Sequence, residues 1–385
     1  MRFADNRNKI RKYIPAVVFL IFIYGMALWF IFSPKPDYSS SEKRYLQKFP
    51  EVTAEKLLSG DFGSEFETFF ADRFPQRNTW VGLNAYTALA EGNNGASGVY
   101  NCKNGYLINK PVSTENNLDK NIGAVADFAK SIDTPTTVML VPSTGYIVDD
   151  VLPTFHDKYN DDEDISKISS TLSKNKIGFV DLRERFKSEY KNGSQLYYKT
   201  DHHWTTKGAY TGYQELCKAL GITPIDDSTL KKDSYPDFYG TTYSSSGFWL
   251  TPPDNIEIWN NPKNSDRNIS VKITEGANIK TSGSMYFTDH LKEDDKYPVF
   301  TDGNHALTEI TNTNAKNGTI LLIKDSFSHS LAPFLAENYS KVVLVDLRYY
   351  KESVSDLVTT YNPEQVVVLY GIDNLATDTD IVWLK

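Results

Sequence analysis

Five short apolar runs rich in β-branched residues constrain the fold of this chain more than any other feature. They are Thr137 to Val141, Gly178 to Asp181, Thr319 to Ile323, Val342 to Asp346 and Val366 to Tyr370. Continuous apolar character over so few residues is the pattern of strands covered on both faces. Several are followed by stretches with helical spacing, notably Thr206 to Leu220, Ser328 to Asn338 and Ser353 to Tyr361. Buried strands alternating with helices make a parallel sheet between two helical layers, so the expected class is one doubly wound α/β domain. Between about 225 and 318 the alternation lapses. Short alternating segments at Ile256 to Trp259 and Ile269 to Ile273, and a Tyr-, Ser- and Gly-rich stretch at Tyr239 to Trp249, read as an insertion beside the active face.

The N-terminus adds a second constraint. Tyr13 to Phe32 is twenty residues without a charge, and at about 1.5 Å per residue it crosses a hydrocarbon core of about 30 Å. Arg2, Arg7, Lys9, Arg11 and Lys12 stand before it against Asp5 alone. Such a bias keeps the N-terminus cytoplasmic and puts the chain beyond Phe32 outside. A cleaved signal peptide is the competing reading, but the run exceeds a usual h-region and Ser33-Pro34-Lys35-Pro36 offers no small-residue cleavage site. The expected organisation is a cytoplasmic tail at 1–12, an anchor at 13–32, a polar stalk at 33–52 and an extracytoplasmic domain at 53–385. Within that domain, Glu55 to Phe70 mixes apolar and acidic positions in helical fashion, with Gly60 as its weak point. The first 33 residues carry +4, so the overall −8 leaves −12 for the exterior part. That balance argues against nucleic acid and anionic headgroups as partners. Cys102 and Cys217 are the only cysteines. No CxxC or Cys/His spacing points to zinc, and the two thiols are compatible with one disulfide or with none.

The chemistry concentrates at two places. Asp201 and His203 stand at i and i+2, which in an extended segment puts both side chains on one side, so that the carboxylate can hold one imidazole nitrogen while the other faces a nucleophile. His202 would then point the opposite way, in a supporting role, and Thr205 or Thr206 would cap the following helix. Ser326 lies directly after one apolar strand and before a helical stretch. At such a junction free N–H groups and the positive end of the helix dipole favour an oxyanion. A serine, a histidine and an aspartate are what nucleophilic acyl transfer needs. The His-His pair is also a conceivable metal half-site, but no other His-rich segment supplies the missing ligands, so no metal and no cofactor are expected.

Thr200-Asp201-His202-His203-Trp204 together with Lys324-Asp325-Ser326-Phe327 resembles the DHHW protein family, which is named after that tetrapeptide. The family is similar in turn to the SGNH-hydrolase-like O-acetyltransferases that modify alginate and other exopolysaccharides. Asp72-Arg73-Phe74-Pro75, Asn104-Gly105-Tyr106-Leu107, Pro142, Gly303-Asn304 and Asp346-Leu347-Arg348 look like further landmarks in the right order. The resemblance implies an SGNH-type fold with Ser326 as nucleophile, His203 as base and Asp201 as its orienting carboxylate. Gly303 and Asn304 are the oxyanion-hole candidates, although they precede the serine, which departs from the usual SGNH order. His202, Trp204, Tyr243 and Arg348 complete the substrate-side candidates.

Relatives of this kind commonly work beside a multipass membrane-bound O-acyltransferase that passes acyl groups outward. The resemblance therefore implies a membrane-anchored O-acyltransferase, an O-acetyltransferase in the first instance, acting on a cell-surface or secreted polysaccharide. Tyr239, Tyr243, Phe248 and Trp249 offer rings that could stack on sugars, with core packing as the competing role. Two rival readings stand beside it: a carbohydrate esterase using the same triad with water as acceptor, and a non-catalytic glycan-binding or scaffold subunit of an envelope assembly.

Overall fold

A computed structural model describes residues 2–112, 117–381 and 384. The chain divides into two compact units, Met1–Asn84 and Ala85–Lys385.

In the first unit a helix runs over Arg2–Phe32, and its Lys12–Phe32 portion is long and apolar enough to cross a membrane. The segment read as a stalk is tied down rather than free. Tyr38–Ser39 pairs with Arg44–Tyr45, and the Arg44 guanidinium grips the buried Asp72 carboxylate through two bonds of 2.9 and 2.5 Å. Arg73 donates to the carbonyl of Lys35 at 2.7 Å. The helical stretch after it breaks at the expected weak point: helices Ala54–Ser59 and Asp61–Asp72 meet at Gly60, whose φ of 88° is a left-handed conformation open to glycine.

The second unit is built on one eight-stranded sheet. In chain order its strands are β1 (Thr136–Val141), β2 (Gly178–Asp181), β3 (Ile269–Glu275), β4 (Asn278–Ser282), β5 (Leu307–Asn312), β6 (Asn317–Lys324), β7 (Tyr339–Val345) and β8 (Gln365–Gly371). Their spatial order is β4-β3-β5-β7-β6-β8-β1-β2. The five strands anticipated from the apolar runs, β7-β6-β8-β1-β2, are mutually parallel. Ile320, Leu321, Leu322 and Ile323 of β6 are fully buried. Ile320 and Leu322 pack on one face with Tyr213, Leu331 and Phe334, while Leu321 and Ile323 pack on the other with Val125, Leu172 and Leu357. Each such side chain contributes roughly 1.5–3 kcal/mol by leaving water. Helices on both faces complete an SGNH-like α/β fold, as expected.

The region from 225 to 318 stands beside the sheet only in part. Its strands β3, β4 and β5 extend the sheet antiparallel from the β7 edge, with Ile310 opposite both Val271 and Val342. The alternation that suggested an insertion beside the active face arises because Ile269, Val271 and Ile273 face the core while Ser270 and Lys272 are exposed. A separate hairpin, Lys231–Phe238 with Asp254–Asn260, and a short helix at Thr241–Ser246 form the rest of the structured part beside the sheet's carboxyl edge.

Two connections open a crevice over β8. From β6 the chain runs through helix Ser328–Leu335 to β7 on one side, and from β1 through helix Asp161–Lys174 to β2 on the other. Where successive connections diverge in this way, the carboxyl ends of the strands leave a cleft.

Candidate active site

Asp201, His203 and Ser326 converge at that edge, all buried, with 2%, 4% and 8% of their surface exposed. Residues 199–203 form bends rather than the expected extended segment, closed by an antiparallel bridge between Tyr197 and Trp204. In this bend one carboxylate oxygen, Asp201 Oδ1, accepts from the His203 backbone N–H at 2.8 Å and from His203 Nδ1 at 2.5 Å. A carboxylate only accepts, so the ring proton sits on Nδ1 and leaves Nε2 free to take a proton. That nitrogen lies 2.7 Å from Ser326 Oγ.

The support comes from outside the tetrapeptide. Asp201 Oδ2 accepts from the Thr241 N–H at 2.7 Å and its hydroxyl at 3.2 Å. Gly240 packs so tightly here that a Cβ would fall 2.1 Å from Asp201 Cβ. Asp254 accepts from the N–H groups of Lys199 and Thr200 and from the Thr200 hydroxyl, the last at 2.7 Å. The Tyr297 ring stacks on His203 at 4.0 Å, and its hydroxyl donates to the Ser326 carbonyl at 3.2 Å. Burial pushes the Asp201 carboxyl upward, but the charges of His203 and then His202, with the hydrogen bonds, outweigh it and hold the group well below the usual carboxylate range.

Ser326 follows β6 by two residues, and its turn is held by Asp325. That buried carboxylate accepts from Phe327 N at 2.9 Å, Gly371 N at 2.7 Å and Asn374 Nδ2 at 2.7 Å. Among the described residues no acceptor takes the Ser326 N–H, which leaves it available at the start of helix Ser328–Leu335.

The profile of the DHHW protein family matches residues 112–345, more than half of the chain and all three residues of the relay. This chain belongs to the DHHW family. Among solved structures it is similar to a DHHW family protein from Eubacterium siraeum DSM 15702, with 18% identity and a TM-score of 0.62, covering 75% of this chain and 95% of that one. It is also similar to Bacillus cereus PatB1, with 20% identity, a TM-score of 0.58, and 73% and 97% coverage. A structure of PatB1 with a sulfonyl adduct aligns equally well, at 20% identity, a TM-score of 0.59, and 72% and 95% coverage. These likenesses concern the fold. No curated protein sequence matched.

The DHHW tetrapeptide is thus one bend with divided duties. His202 does not point away: its ring lies 3.8 Å from that of His203, and Nδ1 meets the Thr241 hydroxyl at 2.7 Å. Burial, and after it the neighbouring His203, push the His202 pKa down, tempered by the 29% of its side chain that solvent reaches. Trp204 is not on the substrate side. It is fully buried, and its indole donates to the Phe327 carbonyl at 3.0 Å and to Ser330 Oγ at 2.9 Å, joining the bend to the serine turn. Thr205, as expected, caps helix Thr206–Leu220 by accepting from Gly208 N.

Among the described residues no hydrogen bond joins Gly303 or Asn304 to Ser326. Gly303 faces Pro298, and Asn304 Oδ1 accepts from Arg348 at 2.9 Å. Arg348 itself clamps Asp346 through bonds of 2.9 and 2.6 Å. Behind the serine turn the buried Lys324 donates to Asp346 at 2.8 Å and to His329 Nε2 at 2.7 Å. Burial pushes Lys324 downward against the pull of Asp346, whereas burial raises Asp346 less than Arg348 and Lys324 lower it. Tyr243 packs between Tyr239 and Trp249, at 4.3 and 5.2 Å, and Phe248 is wholly buried, so these rings stabilise the helix at 241–246 first.

Asp201, His202 and His203 place ligand-capable atoms within 4.8 Å of one another. Both Asp201 oxygens already accept two hydrogen bonds each, and both His203 nitrogens are engaged. An ion here would have to displace the relay. The two cysteines are free and buried, each with its thiol pushed up to about 12 by burial.

Proposed function

We propose that this DHHW protein is a membrane-anchored, extracytoplasmic O-acyltransferase that moves an acyl group, acetyl in the first instance, onto a polysaccharide hydroxyl through Ser326. The observation that carries the reading is the unbroken relay from Asp201 Oδ1 to His203 Nδ1, 2.5 Å, and from His203 Nε2 to Ser326 Oγ, 2.7 Å. Ser326 Oγ gives its proton to His203 as it attacks the acyl carbonyl, and His203 returns that proton to the donor's leaving oxygen. The acyl-serine is then attacked by an acceptor hydroxyl whose proton goes to His203 and on to the departing Ser326 oxygen. Asp201 stays ionised throughout and stabilises the imidazolium. The free Ser326 N–H is suited to the oxyanion of both tetrahedral intermediates.

Support also comes from the family and from PatB1, which has been solved with a sulfonyl adduct, the kind of product an activated hydroxyl forms. The Lys12–Phe32 helix fits an anchor that tethers the site on the outer side, beside a membrane-bound acyl donor. The test is mass spectrometry of the full chain in detergent after exposure to an activated acetyl ester. An acetyl adduct on wild type and none on Ser326→Ala, discharged faster by glycan with acetylated glycan appearing, is the expected result. Release of free acetate alone would make it an esterase, and no adduct at all would leave a scaffold.

A further inference from the structure

The crevice over β8 has a second wall. Ser326, Asp373 and Ser143 each stand two residues beyond the ends of the adjacent strands β6, β8 and β1. A pocket there is lined by Asp201, His202 and Phe327 on the triad's side and by Ser143, Asp373 and Asn374 opposite. Ser143 Oγ donates to Asp373 Oδ1 at 3.1 Å, and the Ser143 N–H donates to the buried Asp161 carboxylate at 2.7 Å. Asp373 is partly exposed, and among the described residues nothing donates to its Oδ2. No lysine or arginine is among the residues lining this pocket.

We infer that Asp373, oriented by Ser143 and flanked by Asn374, is the specificity-determining residue of an acceptor subsite that takes an uncharged sugar unit and rejects a uronate. The inference rests on the transferase reading of Ser326. An unpaired carboxylate oxygen beside an amide is a pair that accepts from and donates to neighbouring sugar hydroxyls. A carboxylate on the acceptor would meet Asp373, with Asp161 behind it, and find no cation to compensate its desolvation. Burial, and then the charge of Asp161, push the Asp373 carboxyl up to about 7. Burial alone is the main cause that pushes Asp161 up to about 6. The repulsion of a uronate is therefore strongest above about pH 7, where Asp373 is ionised.

The test separates binding from chemistry by using the full-length Ser326→Ala chain in detergent. Isothermal titration with hexasaccharides of glucose, galactose and mannose is set against galacturonate and mannuronate hexamers. At least one neutral oligomer should bind, with both uronates roughly tenfold weaker or more, and Asp373→Asn should weaken the neutral oligomer by roughly tenfold, the cost of one hydrogen bond to a charged group. The same substitution should narrow the gap to the uronates, and Ser143→Ala should shift both in the same directions by less. Uronates binding as tightly as the neutral sugars, no binding by any neutral oligomer, or a folded Asp373→Asn chain that binds as before would each overturn the inference. The acetyl adduct on wild type reads the other question. An adduct with no neutral-sugar preference removes the subsite and keeps the transferase, whereas Asp373-dependent sugar binding without an adduct keeps the subsite and removes the transferase.

Discussion

The turn that carries Ser326 hangs from the central sheet, whereas the bend that carries His203 hangs from the hairpin region outside it. Asp325 N donates to the Leu369 carbonyl of β8, and its carboxylate is held by Gly371 and Asn374 at the end of the same strand. The bend depends on Gly240 and Thr241, from the segment between the hairpin strands, and on Asp254, the first residue of the second hairpin strand. The contrast locates the robust part of the site. Damage to the serine turn should cost fold and activity together, and damage around the histidine bend should cost activity first.

The largest test removes the chemistry itself. Ser326→Ala and His203→Ala should each lower acyl transfer on the order of 10⁴-fold or more, and the double substitution should be no worse than either, because the pair acts as one unit. Additive losses would mean that the two regions do not share a step. Next, Asp325→Ala should strip three buried donors of their acceptor and cost roughly 3–5 kcal/mol in urea denaturation. A cost below about 1 kcal/mol would erase the claimed dependence of the serine turn on the sheet.

Gly240→Ala sharpens the other side. Its methyl would collide with Asp201, 2.1 Å away, and the displaced carboxylate should lower transfer by about 100-fold while urea stability changes by about 1–3 kcal/mol. A stability loss larger than that of Asp325→Ala would reverse the comparison.

The two aspartates should also answer acid in opposite directions. The Asp201 pKa lies well below its ordinary 3.8, so its contribution to stability is present above that value and is lost as pH falls through the depressed one. Asp325 is raised from 3.8, by burial above all, so ionising it costs stability as pH climbs from 3.8 through the raised value. Urea melts between about pH 6 and pH 3, a range that enters the window below 3.8, should show wild type beginning to lose its advantage over Asp201→Asn while gaining on Asp325→Asn. Parallel curves would contradict the assigned shifts. The smallest effect is expected for Thr241→Val, which keeps the N–H bond to Asp201 and loses the hydroxyl bonds to Asp201 and to His202 Nδ1. It should slow transfer by roughly 3- to 10-fold, with stability nearly unchanged.

The parallel half of the sheet was legible because strands buried on both faces are continuous in apolar character, as in Ile320 to Ile323. The antiparallel half was not, since β3 alternates like a free-standing hairpin and only its pairing with β5, and of β5 with β7, shows where it belongs. Asp201, His203 and Ser326 were legible as residue types with a shared chemistry, and their convergence is what the structure adds. Trp204, Asn304 and Arg348 could not be sorted from the sequence, because whether an indole, an amide or a guanidinium faces substrate or core depends on its partners. Those partners, Phe327 and Ser330 for Trp204 and Asp346 for Arg348, are distant in the chain or buried by the fold.

Local pattern in the amino-acid sequence was enough to set an apolar helix long enough to span a bilayer, the break at Gly60, the five parallel strands and the chemical identity of the relay. It took the packed fold to make Asp325, Thr241, Asp254 and Tyr297 hold the relay, to widen the sheet with residues 225–318, and to face Asp373 toward the triad's pocket from the opposite wall. The physical reason is range. Hydrophobic periodicity and turn chemistry act over a few residues, whereas a buried carboxylate is satisfied by whichever donors the packed sheet brings within about 3 Å.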